Sequence, residues 1–302
     1  VAELLTDQIL IEFDKVGAEW VVVAYLSNDA RMLEVVRQGK DPHVITGSLI
    51  SGMPEELVYK ESKLIGKHTD PIKIESLRAK LPELNGYFLP RNMSVRQSGK
   101  KGNHGLNYHE GSDRFSLESG MELSDATRVR ELYTTVAYPG IPIWWGSIET
   151  QLRNNDRTLV NCFGRKCRLL DAWGDELFRK AYSFLPQSTV ADSVNKGMVK
   201  FYNDETDYFR SAELLVHVTD SLVMQYPIED FGAMSEFAVK MALDYINPTL
   251  MYGTKEFTID TKVTIGLDWG NMVEVDISED INKTAENLRE TWERLRGEAQ
   301  VA

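Results

Sequence analysis

Apolar residues recur along the 302-residue chain in two rhythms, short runs and helical spacing. Ile9-Leu10-Ile11-Glu12-Phe13 is a run that ends at Asp14 and predicts a strand. From Glu19 to Leu26 the pattern is continuously apolar, a core element, and Asn28-Asp29 marks a turn. Arg31 to Val36 predicts a short helix stopped near Gly39, and Asp41 to Ile50 a second one ending at Gly52. Glu213 to Gln225 holds two apolar runs around Thr219-Asp220-Ser221, the pattern of a hairpin with an acidic tip. Met234, Phe237, Ala238, Met241, Ala242 and Tyr245 recur at helical spacing and halt at Asn247-Pro248, a buried helix with a clean stop. Ile281, Ala285, Leu288, Trp292 and Leu295 form a last helical stripe, with Gly297 as its expected stop.

Composition narrows the class. An apolar fraction of 42% with 10% aromatics excludes extensive disorder. No apolar run approaches the roughly 20 residues a membrane span needs. Two cysteines, Cys162 and Cys167, make neither a disulfide framework nor a zinc site, so a reducing, cytoplasmic setting is expected. A net charge of −12 argues against a simple electrostatic nucleic-acid binder. The average conceals a reversal. Lys60 to His109 carries ten Lys and Arg against four acids, a local +6. That block is either a polyanion surface or a solvated helical insertion.

Two groups of residues could carry chemistry. Arg96, Lys100, His104 and Tyr108 are spaced by four, so on a helix each is rotated about 40° from the last and all share a drifting face. Two cations followed by two rings suit a phosphorylated, base-bearing ligand. Glycines at 99, 102 and 105 lower helix propensity and leave a flexible basic loop open as the alternative. The spacing of a phosphate-cradling P-loop is absent. Asp14 at a strand end and Asp220 at a hairpin tip could together hold two Mg²⁺ ions about 3.5–4 Å apart for phosphoryl transfer. An Asp in such a place can equally be a turn or cap residue.

In this order, the pieces resemble a known family. Asp14-Lys15-Val16-Gly17-Ala18-Glu19 followed by Ala24-Tyr25-Leu26-Ser27-Asn28-Asp29 resembles the first palm motif of family A (DNA polymerase I-like) DNA polymerases. Gly39-Lys40-Asp41-Pro42-His43 is similar to the family's G-x-D-x-H segment, and Arg96 through Tyr108 to its fingers motif R-x-x-x-K-x-x-N-F-G-x-x-Y. Phe163-Gly164-Arg165-Lys166 resembles the F-G-R-R turn, and Arg179 with Pro186 to Asp192 the R followed by M-Q-G-T-A-A-D. Val218 to Val223 stands where the family has V-H-D-E-L-V, and Gly266-Leu267-Asp268-Trp269 resembles the closing G-x-x-W.

The resemblance implies an α+β "right hand" palm, a small antiparallel sheet with helical fingers, and template-directed DNA synthesis by two-metal nucleotidyl transfer. Asp14 and Asp220 would hold two Mg²⁺ (Mn²⁺ as an alternative), helped by the Lys15 carbonyl. Arg96 and Lys100 would grip the triphosphate, with Lys100 counted among the catalytic groups. His43 would contact a phosphate, and His104 would pack on the incoming sugar and base. Gly17 lies in the same nucleotide-binding motif. Glu19 would shut out the ribose 2′-hydroxyl. Tyr108, Arg179, Gln187 and His217 would border the template and primer. The implied palm covers residues 1–50 and 185–302, and the fingers 51–184.

Departures from the family pattern are specific. Ser221 stands where the family has Glu, Thr219 where it has His, and His104 where it has Phe. The stretch from Gly52 to Arg96 is longer than the family's connection. Asp14 lies 13 residues from the first residue, so a thumb and any exonuclease must come from elsewhere, in the same or a separate chain. The expected partners are primer–template DNA, dNTPs and that N-terminal polypeptide, with no membrane. Shortness and divergence look phage-like, so an infected bacterial cell is the expected setting, with an organelle as the other. Two further readings stay open: a half-polymerase inert without its thumb-bearing partner, and a non-catalytic primer–template binding module.

Overall fold

The structure, a computed structural model, describes residues 7–301. It divides into two compact units: a sheet unit of everything up to Ala18 together with Ser188 onward, and a helical unit, Glu19–Gln187. Strand β1 (Gln8–Lys15) comes first.

In the helical unit follow α1 (Ala18–Ser27), α2 (Ala30–Arg37), α3 (Pro42–Ser51), α4 (Glu55–Ile65), α5 (Pro71–Arg78) and α6 (Val95–Leu106). Next are α7 (Ser112–Ser119), α8 (Leu123–Leu132), α9 (Gly140–Asn154), the hairpin β2 (Thr158–Val160) and β3 (Lys166–Arg168), and α10 (Asp175–Asn203), whose residues from Ser188 onward belong to the sheet unit. The local causes are ordinary helix chemistry. Asp29 caps α2 by accepting the Arg31 and Met32 amides, and Asp41 caps α3 ahead of a proline at its first position. Gly52, at φ +75°, ends α3 in the left-handed region that favours glycine. Trp20, Tyr138, Ile141, Trp144 and Leu185 lie in one apolar core. Each such side chain contributes roughly 1.5–3 kcal/mol on burial.

The crossing of α3 and α6 explains the glycines at 99 and 47. A Cβ on Gly99 would run into the His43 carbonyl and lie 2.6 Å from the Gly47 nitrogen. One on Gly47 would lie 2.8 Å from the Val95 carbonyl oxygen. Residues 95–106 are therefore a helix in which Gly99 admits a neighbouring backbone, and the flexible-loop alternative falls away.

The sheet unit adds α11 (Asp207–Arg210), β4 (Glu213–Val218), β5 (Ser221–Pro227), α12 (Phe231–Lys240), the hairpin β6 (Leu250–Tyr252) and β7 (Lys255–Phe257), β8 (Thr261–Gly266), β9 (Val273–Val275) and α13 (Ile281–Val301). Its antiparallel sheet has the order β4-β5-β1-β8-β9, with β1 central. Alternation along β1 buries Ile9, Ile11, Phe13 and Lys15 and leaves Glu12 and Asp14 on the other face. Phe237, Met241, Leu288 and Trp292 from the following helices complete the core on the buried side. The expected stop at Gly297 does not occur: α13 runs through it, because a glycine costs an exposed helix only about 1 kcal/mol. The acidic residue at its start is a cap, Asp280, which accepts the Asn282 and Lys283 amides. Among the described residues no helix is long and apolar enough to cross a membrane.

Candidate active site

In the sheet unit the chain brings two aspartates to neighbouring strand ends. Asp14 stands opposite Ser221 in the β1–β5 register, and the Lys15 amide donates to the Asp220 carbonyl at 3.2 Å. Asp220 belongs to the two-residue turn between β4 and β5. The other turn residue, Thr219, has φ +47°, a conformation that disfavours a β-branched side chain. Strain of this kind persists where the surrounding structure fixes it, and it concentrates at functional turns. Ser221, next to Asp220, is buried, and its hydroxyl faces the Val218 carbonyl at 3.4 Å.

The Lys15 side chain leaves the aspartate face for the core. Its Nζ donates to the Ile259 carbonyl at 2.7 Å and to Thr261 Oγ1 at 3.0 Å. Burial pulls its pKa down to about 7, with Asp260 opposing. Only its backbone is therefore available beside Asp14. Gly17 holds φ +56° in the turn after β1. His217 is exposed on β4, its Nε2 3.3 Å from the Thr219 carbonyl.

Among the described residues no group of three or more His, Cys, Asp or Glu converges as a metal site. The pair Asp14 and Asp220 nevertheless fits a hard divalent cation, since Mg²⁺ is commonly bound through one or two carboxylates and completed by substrate phosphates.

In the helical unit α6 presents Arg96, Lys100 and His104 one turn apart. Arg96 Nε donates to Asp41 Oδ2 at 2.6 Å, while Asp41 Oδ1 caps α3 through the His43 and Val44 amides. One carboxylate thus fixes both the helix that carries His43 and the first cation of α6. The His43 ring lies 6.1 Å from that of His104, and its Nδ1 is 3.1 Å from Asn103 Nδ2. Burial depresses the His43 pKa to about 4, Asp41 opposes, and Arg96, His104 and Lys100 push it further down. At neutral pH His43 is neutral among three basic side chains. Lys100 and His104 are exposed.

Tyr108 lies two residues beyond the end of α6, and its hydroxyl donates to Glu19 Oε2 at 2.6 Å. Burial, then the Glu19 carboxylate, holds the phenol well above 10, so it remains a donor. Tyr108, His104 and Arg179 border one cavity of about 480 Å³. Gln187 is exposed on α10 and lies outside the lining of that cavity.

Several residues of this arrangement escaped the sequence reading. Asn103 Oδ1 accepts from Thr46 Oγ1 at 2.7 Å and from Tyr133 at 3.1 Å, and its Nδ2 donates to the Pro42 carbonyl at 3.1 Å. It locks α6 to α3 beside His43. Its only signal was its place inside the α6 motif. Asp41 was legible as a cap from Asp-Pro, but not as the partner of Arg96. Glu110 was not legible at all. It borders the cavity with one carboxylate oxygen buried and unbonded, and burial, then Glu118, raises its pKa.

A small antiparallel sheet, helices around it and a separate helical unit define the fold of a DNA polymerase POL domain. The POL domain of Pol1 from M. smegmatis, in complex with DNA primer-template and dNTP, superposes with a TM-score of 0.63 over 86% of this chain and 40% of that chain, at 19% identity. By sequence the chain is 25% identical over 269 residues to the thermostable DNA polymerase I of Thermus aquaticus and 26% identical over 270 residues to that of Thermus filiformis. Each match covers 86% of this chain and 27% of the relative. No family model matches the chain.

Proposed function

We propose that the chain is the palm and fingers region of a family A DNA polymerase, extending a primer 3′-hydroxyl with dNTPs. The observation that carries this reading is the convergence of Arg96, Lys100, His104 and neutral His43 along one side of α6. A triphosphate needs such a row of cations and donors. Arg96 spends its Nε on Asp41, which orients the guanidinium fork toward phosphate oxygens. Lys100, exposed one turn on, supplies a mobile charge for the leaving pyrophosphate. His104 offers a ring to the incoming sugar and base. His43, uncharged, can donate one ring N–H to a phosphate oxygen without repelling Arg96.

Mg²⁺ would be held by Asp14 and Asp220 with the Lys15 carbonyl, and when bound would supply Lewis-acid activation of the primer hydroxyl and charge neutralisation at the α-phosphate. Glu19, held by Tyr108, would occupy the space of a ribose 2′-hydroxyl and so favour dNTPs over rNTPs. Arg179, on the cavity that Tyr108 and His104 also line, would contact the nucleic acid, and Gln187 and His217 are proposed beside it. In this reading the palm covers residues 1–50 and 185–302 and so takes in the sheet unit, and the fingers cover residues 51–184, within the helical unit. Since the chain spans 27% of the Thermus relatives, a thumb is proposed to come from further polypeptide, in the same or a separate chain.

The testing experiment is single-nucleotide incorporation on a recessed primer with Mg²⁺ and each dNTP in turn. Incorporation directed by the template supports the reading. Binding of primer–template without incorporation, with the upstream polypeptide present, replaces it with that of a binding module.

A further inference from the structure

The segment between Gly52 and Ser94 contributes α4 and α5 to the helical unit, and nothing in the proposed chemistry uses them. Helix α4 buries Val58, Glu61 and Ile65. Tyr59, Lys60 and Lys63 fall on the other side: at about 100° per residue, Lys63 lies about 40° and Lys60 about 100° from Tyr59. All three are exposed, and so is Lys67 just past the end of the helix. The Lys63 Nζ sits 4.5 Å above the Tyr59 ring, which remains 51% exposed. Among the described residues none of Lys60, Lys63 and Lys67 has an ion-pair partner. Glu56 shares their arc, while Glu61 turns inward.

This face is tied firmly to α6. Glu61 Oε1 accepts Arg78 Nη2 at 2.6 Å and Nε at 3.0 Å, and Glu61 Oε2 accepts the Val95 amide at 2.9 Å, in the first turn of α6. Arg78 also donates to the Pro90 and Met93 carbonyls at 2.6 and 2.9 Å. The pair is buried, with Glu61 at 0% exposure. The insertion is therefore anchored where the helix bearing Arg96 and Lys100 begins.

We propose that this face of α4 is a binding surface for single-stranded DNA, taking the phosphodiester backbone on Lys60, Lys63 and Lys67 and a base on the Tyr59 ring. Unpaired lysines complement a polyanion, and an exposed ring beside them selects a strand whose bases are free to stack. Duplex, with its bases enclosed, offers Tyr59 nothing. The proposal rests on the polymerase reading, in which the unpaired strand is the template ahead of the primer end.

The test is fluorescence anisotropy of the full chain with blunt duplex and with primer–templates carrying short and long 5′ overhangs, across a salt series. Lys60→Gln with Lys63→Gln should weaken long-overhang binding about tenfold, lower the slope of log K against log salt by about 1.4, and leave blunt duplex unchanged. Tyr59→Ala should weaken only the long-overhang complex. All are exposed positions, and an unchanged melting temperature shows that the fold is intact. Equal losses on blunt and overhanging DNA, or no loss on either, overturn the proposal. Single-nucleotide incorporation on the short-overhang substrate separates the two ideas. Wild-type incorporation on that substrate, with no effect of the lysine changes on long-overhang binding, removes the surface and leaves the polymerase reading. The selective loss without any incorporation does the reverse.

Discussion

The Tyr108 hydroxyl donates a 2.6 Å hydrogen bond to Glu19 Oε2, joining residues 89 positions apart within the helical unit. A carboxylate held at one oxygen has a fixed place, and a fixed place is what exclusion of a hydroxyl requires. Glu19→Ala should raise the ratio of ribonucleotide to deoxynucleotide incorporation at least about tenfold. Tyr108→Phe, which frees the carboxylate without removing it, should give a smaller rise. Competitive single-turnover incorporation measures both, and an unchanged ratio in Glu19→Ala removes the gate.

His43 sets a pH window. Its folded pKa is about 4 against 6.5 when unperturbed, so below 6.5 the unfolded chain takes up a proton that the folded chain refuses. Stability should therefore decline as pH falls from about 6.5 to about 4 and level off below, by roughly 3 kcal/mol in total from this group. Denaturant unfolding of wild type and His43→Gln at several pH values isolates the effect. The variant should lose that part of the slope.

The glycine crossing makes a sharper stability prediction. Gly99→Ala places a methyl group against the His43 carbonyl and the Gly47 nitrogen, both backbone atoms that cannot swing aside. Overpacking of this kind costs about 1–3 kcal/mol. Because His43 lies at the contact, dNTP affinity should fall as well. Gly111→Ala, where a Cβ meets nothing within 4 Å, should leave both almost unchanged.

The buried pair in the insertion should behave asymmetrically. Burial holds the Glu61 carboxyl above its usual range, while Arg78 and the Val95 amide pull it back. Arg78→Ala leaves that carboxylate buried with its main partner gone, a loss of about 3–5 kcal/mol. Arg78→Met with Glu61→Leu removes both charges and should unfold at a higher denaturant concentration than Arg78→Ala alone.

What could be read from the chain was what local chemistry dictates. The β4–β5 hairpin with Asp220 at its tip followed from two apolar runs around a turn, and α2 and α3 from their apolar pattern and glycine stops. The glycines of α6 misdirected, because propensity is a property of an isolated helix while Gly99 serves the close approach of α3. Spacing by four placed Arg96, Lys100 and His104 correctly. It could not show that the helix ends at Leu106 and lets Tyr108 reach Glu19. Asn103, Tyr133 and Glu61 act through partners 17 to 61 residues away, and such pairings leave no trace in periodicity. The net charge of −12 pointed away from nucleic acid because it averages basic segments such as the one around α4 and α6 with an acidic remainder.

The central claim is that Asp14 and Asp220, on neighbouring strand ends, support templated nucleotide addition. The most direct measurement is the Mg²⁺-dependent rate of single dNTP incorporation by wild type and Asp14→Asn, with and without the thumb-bearing polypeptide proposed above. The account predicts templated incorporation by wild type in at least one arm and a loss of about 10³-fold or more in the variant, the scale on which a group stabilising transition-state charge acts. Equal rates for the two proteins, or no templated incorporation in either arm, would contradict it.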